Sequence, residues 1–419
     1  MKYDLIVIAS YPPQNQIHGK GTVGVASYTK NTLLSISKTA KKTPKILVLA
    51  EKLLNQKIKY QEKNITIIRC WQRNSFFAYF QILKQINTHQ ASNILIEFEM
   101  AMFGNPILNS LLPLLLLFLK IKNKKTTIVL HQIVLDFNKI SGHIGQKQNS
   151  SLNYLLSFLS KIFYKLIISF SSQIIVFERF LKDKLATIAN PKKIIIIPHG
   201  VEPKNIKTNT KTVSQQLNIS SKDFVITTFG FLAWYKGTDW LAKTMSNYLD
   251  KFPNSNLKLV IAGGPNPNHL DKPFYQNFIK NLKKLTQKHP KNIIITNFVD
   301  EKDIASYYSL SHLIVLPYRT GMSSSGPLSL AFTHRKAFLL SKPISPILGT
   351  KDIDSSLKKL NLNNKDITFN LSSQDFITKV KQLKKNPSKL DLLSKLSQLV
   401  YRQRLWTNIA KQYIQILNI

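Results

Sequence analysis

Three features of this chain predict an α/β fold built as two doubly wound domains. Short Val/Ile/Leu runs closed by turn residues alternate with longer stretches of helical period, the pattern of parallel strands buried under helices on both faces. The alternation runs through both halves, and 419 residues exceed one ordinary core. A polar stretch without period, Pro203 to Thr212, separates the halves as a linker does.

In chain order, the first half offers strands at Leu5–Ser10, Ile46–Leu49, Ile65–Arg69, Ile94–Phe98, Thr127–His131, Ile174–Phe177 and Ile194–Pro198. The second half offers Phe224–Phe229, Leu257–Ala262, Ile293–Thr296, Leu313–Pro317, Ala337–Ser341 and Ile367–Phe369. Each is a run of β-branched or large apolar residues too short for a helix and bounded by Gly, Pro, Ser or charged residues. The expected division is 1–203, 204–395 and a terminal segment, 396–419. In that segment Trp406, Ile409, Ala410, Tyr413, Ile416 and Leu417 keep the spacing of an amphipathic helix, so one stripe is expected to be buried.

Composition bounds the function. A 43% hydrophobic share with 10% aromatics and 19% charged residues is that of a folded protein. The single cysteine, Cys70, rules out an internal disulfide framework and fits a reducing compartment, so a cytoplasmic location is expected. The net charge of +38 suggests an anionic partner, yet only seven of 59 basic residues are arginines, the fork that base and phosphate readout favours. The charge is also spread evenly, residues 1 to 203 carrying 27 basic and 9 acidic groups. A dedicated nucleic-acid groove is therefore not expected. The opening Met1 to Ser10 reads as a strand rather than a signal peptide, because its apolar run is short and Asp4 interrupts it. The greasy run Leu108–Leu119 contains Pro113 and falls short of a bilayer span. With Lys120, Lys122, Lys124 and Lys125 following directly, it fits either a buried helix or a peripheral contact with the anionic inner face of a membrane.

The candidate chemistry sits at strand ends. After the run Leu313–Pro317, Ser323, Ser324, Ser325 and Gly326 precede Pro327, a favoured first helical residue, and Leu328 begins an apolar helix. Such a turn offers free N–H groups and hydroxyls to a phosphate; its plain reading is a Ser N-cap. Lys236, in Trp234-Tyr235-Lys236-Gly237 after the strand Phe224–Phe229 and Gly230, is placed to reach that phosphate, although it is one of many lysines. Gly263 and Gly264 end another strand and permit close backbone approach. In the first half, the loop Tyr11 to Gly24 contains His18 and lacks the tight G-x-G-x-x-G of a dinucleotide fingerprint, fitting a loop over a cleft. His131 and Glu99 stand at strand ends that line the site in open α/β sheets. Neither a metal-ligand cluster nor a nucleophile elbow is present in the sequence.

Taken in order, Gly24 to Lys30, Glu97-Phe98-Glu99, Phe103-Gly104, His131, Ile197 to Val201, Trp234 to Gly237, Ala262 to Gly264, Pro317-Tyr318 and Ser325 to Leu328 resemble the family-4 retaining glycosyltransferases of the GT-B fold. The resemblance spans nearly the whole chain. It implies two Rossmann-like domains facing across a cleft, the acceptor held by the first and the sugar nucleotide by the second, with the terminal helix crossing back. Lys236 and His131 would be the catalytic pair, Lys236 clasping the donor diphosphate and His131 lying near the transferred sugar. Donor contacts would come from Gly24, Gly230, Gly237, Gly263, Gly264, Val299, Ser323, Ser324, Ser325, Gly326 and Leu328, with Glu99 and His18 on the acceptor side. Hexose transfer with retention in that family needs no divalent metal, and a lipid-linked or polysaccharide acceptor would suit a cell-surface role. The chain departs from the family where its paired glutamates and an arginine stand: here the positions hold Met322, Leu330 and Phe231. These losses leave open a second class of function, a non-catalytic protein that binds a glycan, a nucleotide or a partner transferase.

Overall fold

The computed structural model describes residues 2–16, 25–100, 102–201, 208–266 and 269–419. Its first sheet has eight strands: β1 (Leu5–Ile8), β2 (Ile46–Glu51), β3 (Lys59–Glu62), β4 (Ile65–Trp71), β5 (Asn93–Phe98), β6 (Lys125–Leu130), β7 (Gln173–Val176) and β8 (Ile194–Ile196). They lie in the order β3-β4-β2-β1-β5-β6-β7-β8. The second sheet has six: β9 (Phe224–Phe229), β10 (Leu257–Ala262), β11 (Ile293–Ile295), β12 (Leu313–Leu316), β13 (Phe338–Ser341) and β14 (Thr368–Phe369). Their order is β11-β10-β9-β12-β13-β14. Only the β3–β4 pairing is antiparallel among the described strands. Both orders reverse at a central strand, β1 and β9, and ligands of such sheets bind beyond the carboxyl ends of the strands at that reversal.

Continuous apolar runs make these strands because both sheet faces are covered. In the first sheet Ile6 and Ile8 face the helices Ala78–Thr88, Leu112–Ile121 and Ser151–Phe170. Leu5 and Val7 face the helix Val25–Thr39 and the terminal helix Trp406–Leu417. The terminal helix thus crosses back to the first domain, the stripe of Trp406, Ile409, Ala410, Tyr413 and Leu417 being buried as its spacing requires. Tyr413 and Tyr28 share a buried hydroxyl–hydroxyl hydrogen bond of 2.8 Å. A side chain on Gly200 would meet the Trp406 ring at 2.4 Å, so the crossing demands glycine there.

Beside that crossing lies a buried ionic cluster. Arg404 donates to Asp352 of the second domain at 2.5 Å and stands 3.8 Å from Glu178, which follows β7 in the first. Burial pushes the Glu178 carboxyl up to about 8, although Arg404 opposes the shift.

Two features add to or refine the sequence reading, and one expectation falls outside the described residues. The edge strand β3 went unread, since Lys-Tyr-Gln-Glu buries only its tyrosine. The run Leu108–Leu119 divides at Leu111 into the helices Pro106–Ser110 and Leu112–Ile121, with Pro113 in the first turn of the second. Leu108, Leu112, Leu115, Leu116 and Leu119 are fully or almost fully buried in the first core, so the inward stripe of that run belongs to the core while Leu114 stays exposed. The domain boundary expected near residue 203 lies outside the described residues.

Candidate active site

The site is built where β9, β10 and β12 end. Beyond β9 the backbone of Gly230 turns with a positive φ of 102°, and its N–H donates to Ala262 O at 2.9 Å. A Cβ on Gly263 would strike Gly230 O at 2.1 Å, and one on Gly264 would strike the Phe298 N at 2.9 Å. These glycines therefore serve backbone packing first. The short helical turn Trp234–Lys236 follows, closed by Gly237 at φ 68°, where a Cβ would meet Pro317 O at 2.0 Å.

Arg319 holds this turn from the end of β12. Its guanidinium donates twice to Asp239 at 2.8 Å and once to Trp234 O at 2.5 Å, and it lies 5.0 Å from the Trp234 ring centroid. The turn in turn aims Lys236. A Cβ on Gly230 would sit 2.9 Å from Lys236 Nζ and 3.6 Å from Pro327, so the ammonium stands beside the first turn of the helix Gly326–Thr333. Among the described residues no carboxylate lies within ion-pair distance of it. Loss of water pulls its pKa from 10.5 down to about 8.

The serine turn does two jobs. Ser325 caps the helix by accepting from Leu328 N at 3.3 Å, the plain reading of that motif, while Leu328 itself is buried. Ser323 and Ser324 remain partly exposed and line a hollow of about 110 Å³ with Lys236, Tyr235 and Gly326. A second, larger hollow of about 380 Å³ flanks Gly230 on the other side, lined by Phe231, Gly263, Gly264, Phe298 and Val299. The Phe231 and Phe298 rings stand 6.4 Å apart and are both exposed.

The first domain closes this site along a seam. Ile133 N donates to Met322 O at 2.9 Å, Gln132 pairs with Ser323 as an isolated bridge, and Lys184 donates to Gly321 O at 2.8 Å. The Met322 side chain is buried with Val134 and Ile140. His131 ends β6 behind this seam. Its Nε2 is 2.7 Å from Glu97 Oε2, inside the domain. Burial lowers the His131 imidazole to about 4, Glu99 opposing, and raises Glu97 well above the carboxylate range, so burial disfavours charge on both members of the pair. Glu99 is partly exposed and its charge acts on His131 of the first domain and Tyr235 of the second, which places it in the cleft.

The sequence did not flag His143. Its ring is 5.0 Å from Tyr235 and 5.4 Å from His269, and burial together with His269, Lys272 and Lys236 holds it at about 4. Arg319 and Asp239 were also unread; the pair Pro317-Tyr318 at a strand end stops one residue short of Arg319. Gly24 and His18 lie outside the described residues.

Residues 223–340, which contain the site's elements from β9 to β12 and most of β13, match the family Glycosyl transferases group 1. The match to that family lies in the second domain, and the fold of the whole chain is GT-B. Solved structures agree on the fold. Sucrose-phosphate synthase from Thermosynechococcus elongatus superposes with a TM-score of 0.72 at 14% identity, covering 99% of this chain and 98% of that one. HepE from Anabaena, solved with UDP and glucose, gives 0.65 at 13% identity over 99% of each chain. An E. coli trehalose-6-phosphate protein bound to UDP-2-fluoro glucose gives 0.67 at 12%, covering 100% and 99%. Among curated proteins no sequence relative matches. In this GT-B chain, the positions that lack the paired glutamates are accounted for: Met322 seals the domain seam, and Leu330 packs against the second core. Phe231, at the arginine position, faces the larger hollow instead of the lysine.

Proposed function

We propose that this GT-B chain is a glycosyltransferase that transfers a hexose from a nucleotide-diphosphate sugar to a hydroxyl acceptor, with retention and without a divalent metal. One observation carries the reading: the Lys236 ammonium, without an ion pair among the described residues, beside the N-terminal turn of the helix Gly326–Thr333, at the reversal point of the second sheet. Both features attract an anion, and together they meet the charge that a leaving diphosphate gains. In the proposed step the bond from the anomeric carbon to the diphosphate oxygen breaks with its electron pair going to the diphosphate. The acceptor oxygen bonds the anomeric carbon on the same face, and its proton passes to the leaving phosphate.

The diphosphate is assigned to the hollow at Lys236, Ser323, Ser324 and Gly326, and the nucleoside to the hollow at Gly230, Gly263, Gly264 and Val299. Solved neighbours carrying UDP or a UDP-sugar favour a uridine donor. His131 contributes as a neutral wall of the sugar pocket, oriented by Glu97, and Glu99 supplies the carboxylate facing the acceptor. A cytoplasmic enzyme of polysaccharide or glycolipid synthesis fits this assignment.

The test is nucleoside-diphosphate release across UDP-, GDP- and ADP-sugars, with lipid extract as acceptor and Lys236→Ala as control. Release from one donor that the variant abolishes supports the reading. Met322 and Leu330, both without a carboxylate, favour one competing account, a binding protein with a GT-B frame. Donor-independent glycan binding that Lys236→Ala leaves unchanged would establish that account instead.

A further inference from the structure

The helix Ser151–Phe170 is built inside out. Its inward stripe is polar: Asn153, Ser157, Ser160 and Tyr164 are buried, with Ile167 and Ile168 only at the last turn. These side chains hold the chain segment that follows β6. Ser157 accepts from Phe137 N at 2.9 Å, Ser160 donates to Val134 O at 2.5 Å, and Tyr164 donates to Gln132 O at 3.0 Å. Its outward stripe is apolar: Leu152, Leu155, Leu159, Ile162 and Leu166 recur at steps of three and four, and Phe158 beside them is 61% exposed. A folded protein surrounded only by water gains nothing from this arrangement, because exchanging the two stripes would bury the leucines.

The apolar surface continues onto the neighbouring helices of the same layer. Leu114 and Ile121 are exposed on Leu112–Ile121, where Lys120 donates to Ser169 O of the inverted helix at 3.3 Å. Phe80 is exposed on Ala78–Thr88 and borders a hollow shared with Phe118. Between residues 101 and 177 the chain has eight lysines and one acidic residue, Asp136. Lys84, Lys120, Lys161 and Lys165 are exposed on these three helices, which carry no carboxylate at all, and Lys122 is exposed just past the end of Leu112–Ile121.

We propose that this helix layer is a membrane-docking face that lies in the interface of an anionic bilayer, the outward stripe entering the acyl boundary and the lysines meeting acidic headgroups. Charge selects this occupant. A second copy of the chain would set lysine against lysine, whereas acidic lipid complements them. The helix has the length and apolar character of a span, but its inward stripe is hydrogen-bonded to the first domain, so it rests on the membrane rather than crossing it. Docking would also bear on the cleft, since the segment the helix braces, Gln132 to Phe137, pairs with Met322 and Ser323. The inference stands apart from the transferase reading and survives if no donor is turned over.

The experiment is co-sedimentation of the full chain with vesicles of phosphatidylcholine alone and of phosphatidylcholine mixed with phosphatidylglycerol. The triple variant Leu155→Asn, Phe158→Asn, Ile162→Asn should lose partition by at least about tenfold at unchanged melting temperature, because the three side chains are exposed in the fold. A second variant, Lys161→Gln with Lys165→Gln, leaves the stripe intact and should reduce binding to the anionic vesicles alone. Wild-type protein that stays in solution with both vesicle types overturns the proposal. So does equal sedimentation of wild type and triple variant, or a concentration-dependent dimer that the triple variant dissolves while no vesicle is bound.

Discussion

Lys236 loses half its charge at about pH 8, and that makes donor binding a titration. Its pKa of about 8 leaves roughly nine tenths of the lysine charged at about pH 7 and roughly one tenth at about pH 9. A bound diphosphate restores the charge, so binding takes up a proton at high pH. The dissociation constant of the nucleoside diphosphate should be flat below about pH 7 and rise toward tenfold per unit above about pH 8. Replacing Lys236 by alanine removes one charge-assisted bond, weakening binding about ten- to a hundredfold and flattening the profile. Isothermal titration calorimetry in buffers of different ionisation enthalpy reads both the affinity and the proton uptake.

The neighbouring groups determine whether that slope belongs to Lys236. His143, held at about 4, is neutral throughout, as is His269, whose pKa is also lowered, and Tyr235, raised to about 12, does not titrate in the window. Two groups do: Glu178, at about 8 in the ionic cluster, and Lys184, at about 8 in the seam. Glu178→Gln and Lys184→Gln should therefore keep the slope that Lys236→Ala loses. A flat wild-type profile, or a slope that persists in Lys236→Ala, refutes the assignment of the diphosphate to this lysine.

Further outcomes follow from the packing. Glu178 is raised from 4.5 to about 8, so the native state holds a proton that the unfolded chain has released across that window. Its contribution to stability is complete below about pH 4.5 and lost as pH rises through about 8; urea midpoints should fall less steeply with pH in Glu178→Gln, and identical slopes would dismiss the effect. Gly237→Ala meets Pro317 O at 2.0 Å in a left-handed conformation and should cost about 2 kcal/mol or more in urea unfolding. Tyr413→Phe strands the buried Tyr28 hydroxyl and should cost about 1–2 kcal/mol, visible as a lower melting temperature.

What was legible in the sequence depended on how local the signal was. The parallel strands of both sheets were readable because burial on two faces demands unbroken Val/Ile/Leu runs, as in β1 and β12, whereas the antiparallel edge strand β3 lacks such a run. Their ends moved by a residue or two: Ile194–Pro198 stops at Ile196, and Ile174–Phe177 begins at Gln173. The serine turn was readable because strand, Ser/Gly cluster and Pro follow one another within a few residues. Arg319 and Asp239 are 80 residues apart, and His143 reaches Tyr235 only across the domain seam, so no spacing rule joins them.

The inverted helix is a different case. Its period is plain in the sequence, two interleaved stripes at steps of three and four. A pattern rule assigns the leucine stripe to the core, and here that assignment has the wrong sign. The inward stripe was decided by a tertiary demand: the segment from Gln132 to Phe137 leaves β6 without strand partners of its own, and its backbone groups need hydrogen bonds that leucine cannot give. Ser157, Ser160 and Tyr164 supply them, and once they occupy the inner face the remaining apolar residues must point outward. Periodicity therefore fixes how many faces a helix has, while the unsatisfied backbone beneath it fixes which one is buried. The same segment meets Met322 and Ser323, so one set of hydrogen bonds shapes the domain seam and forces an apolar stripe to the surface of the first domain.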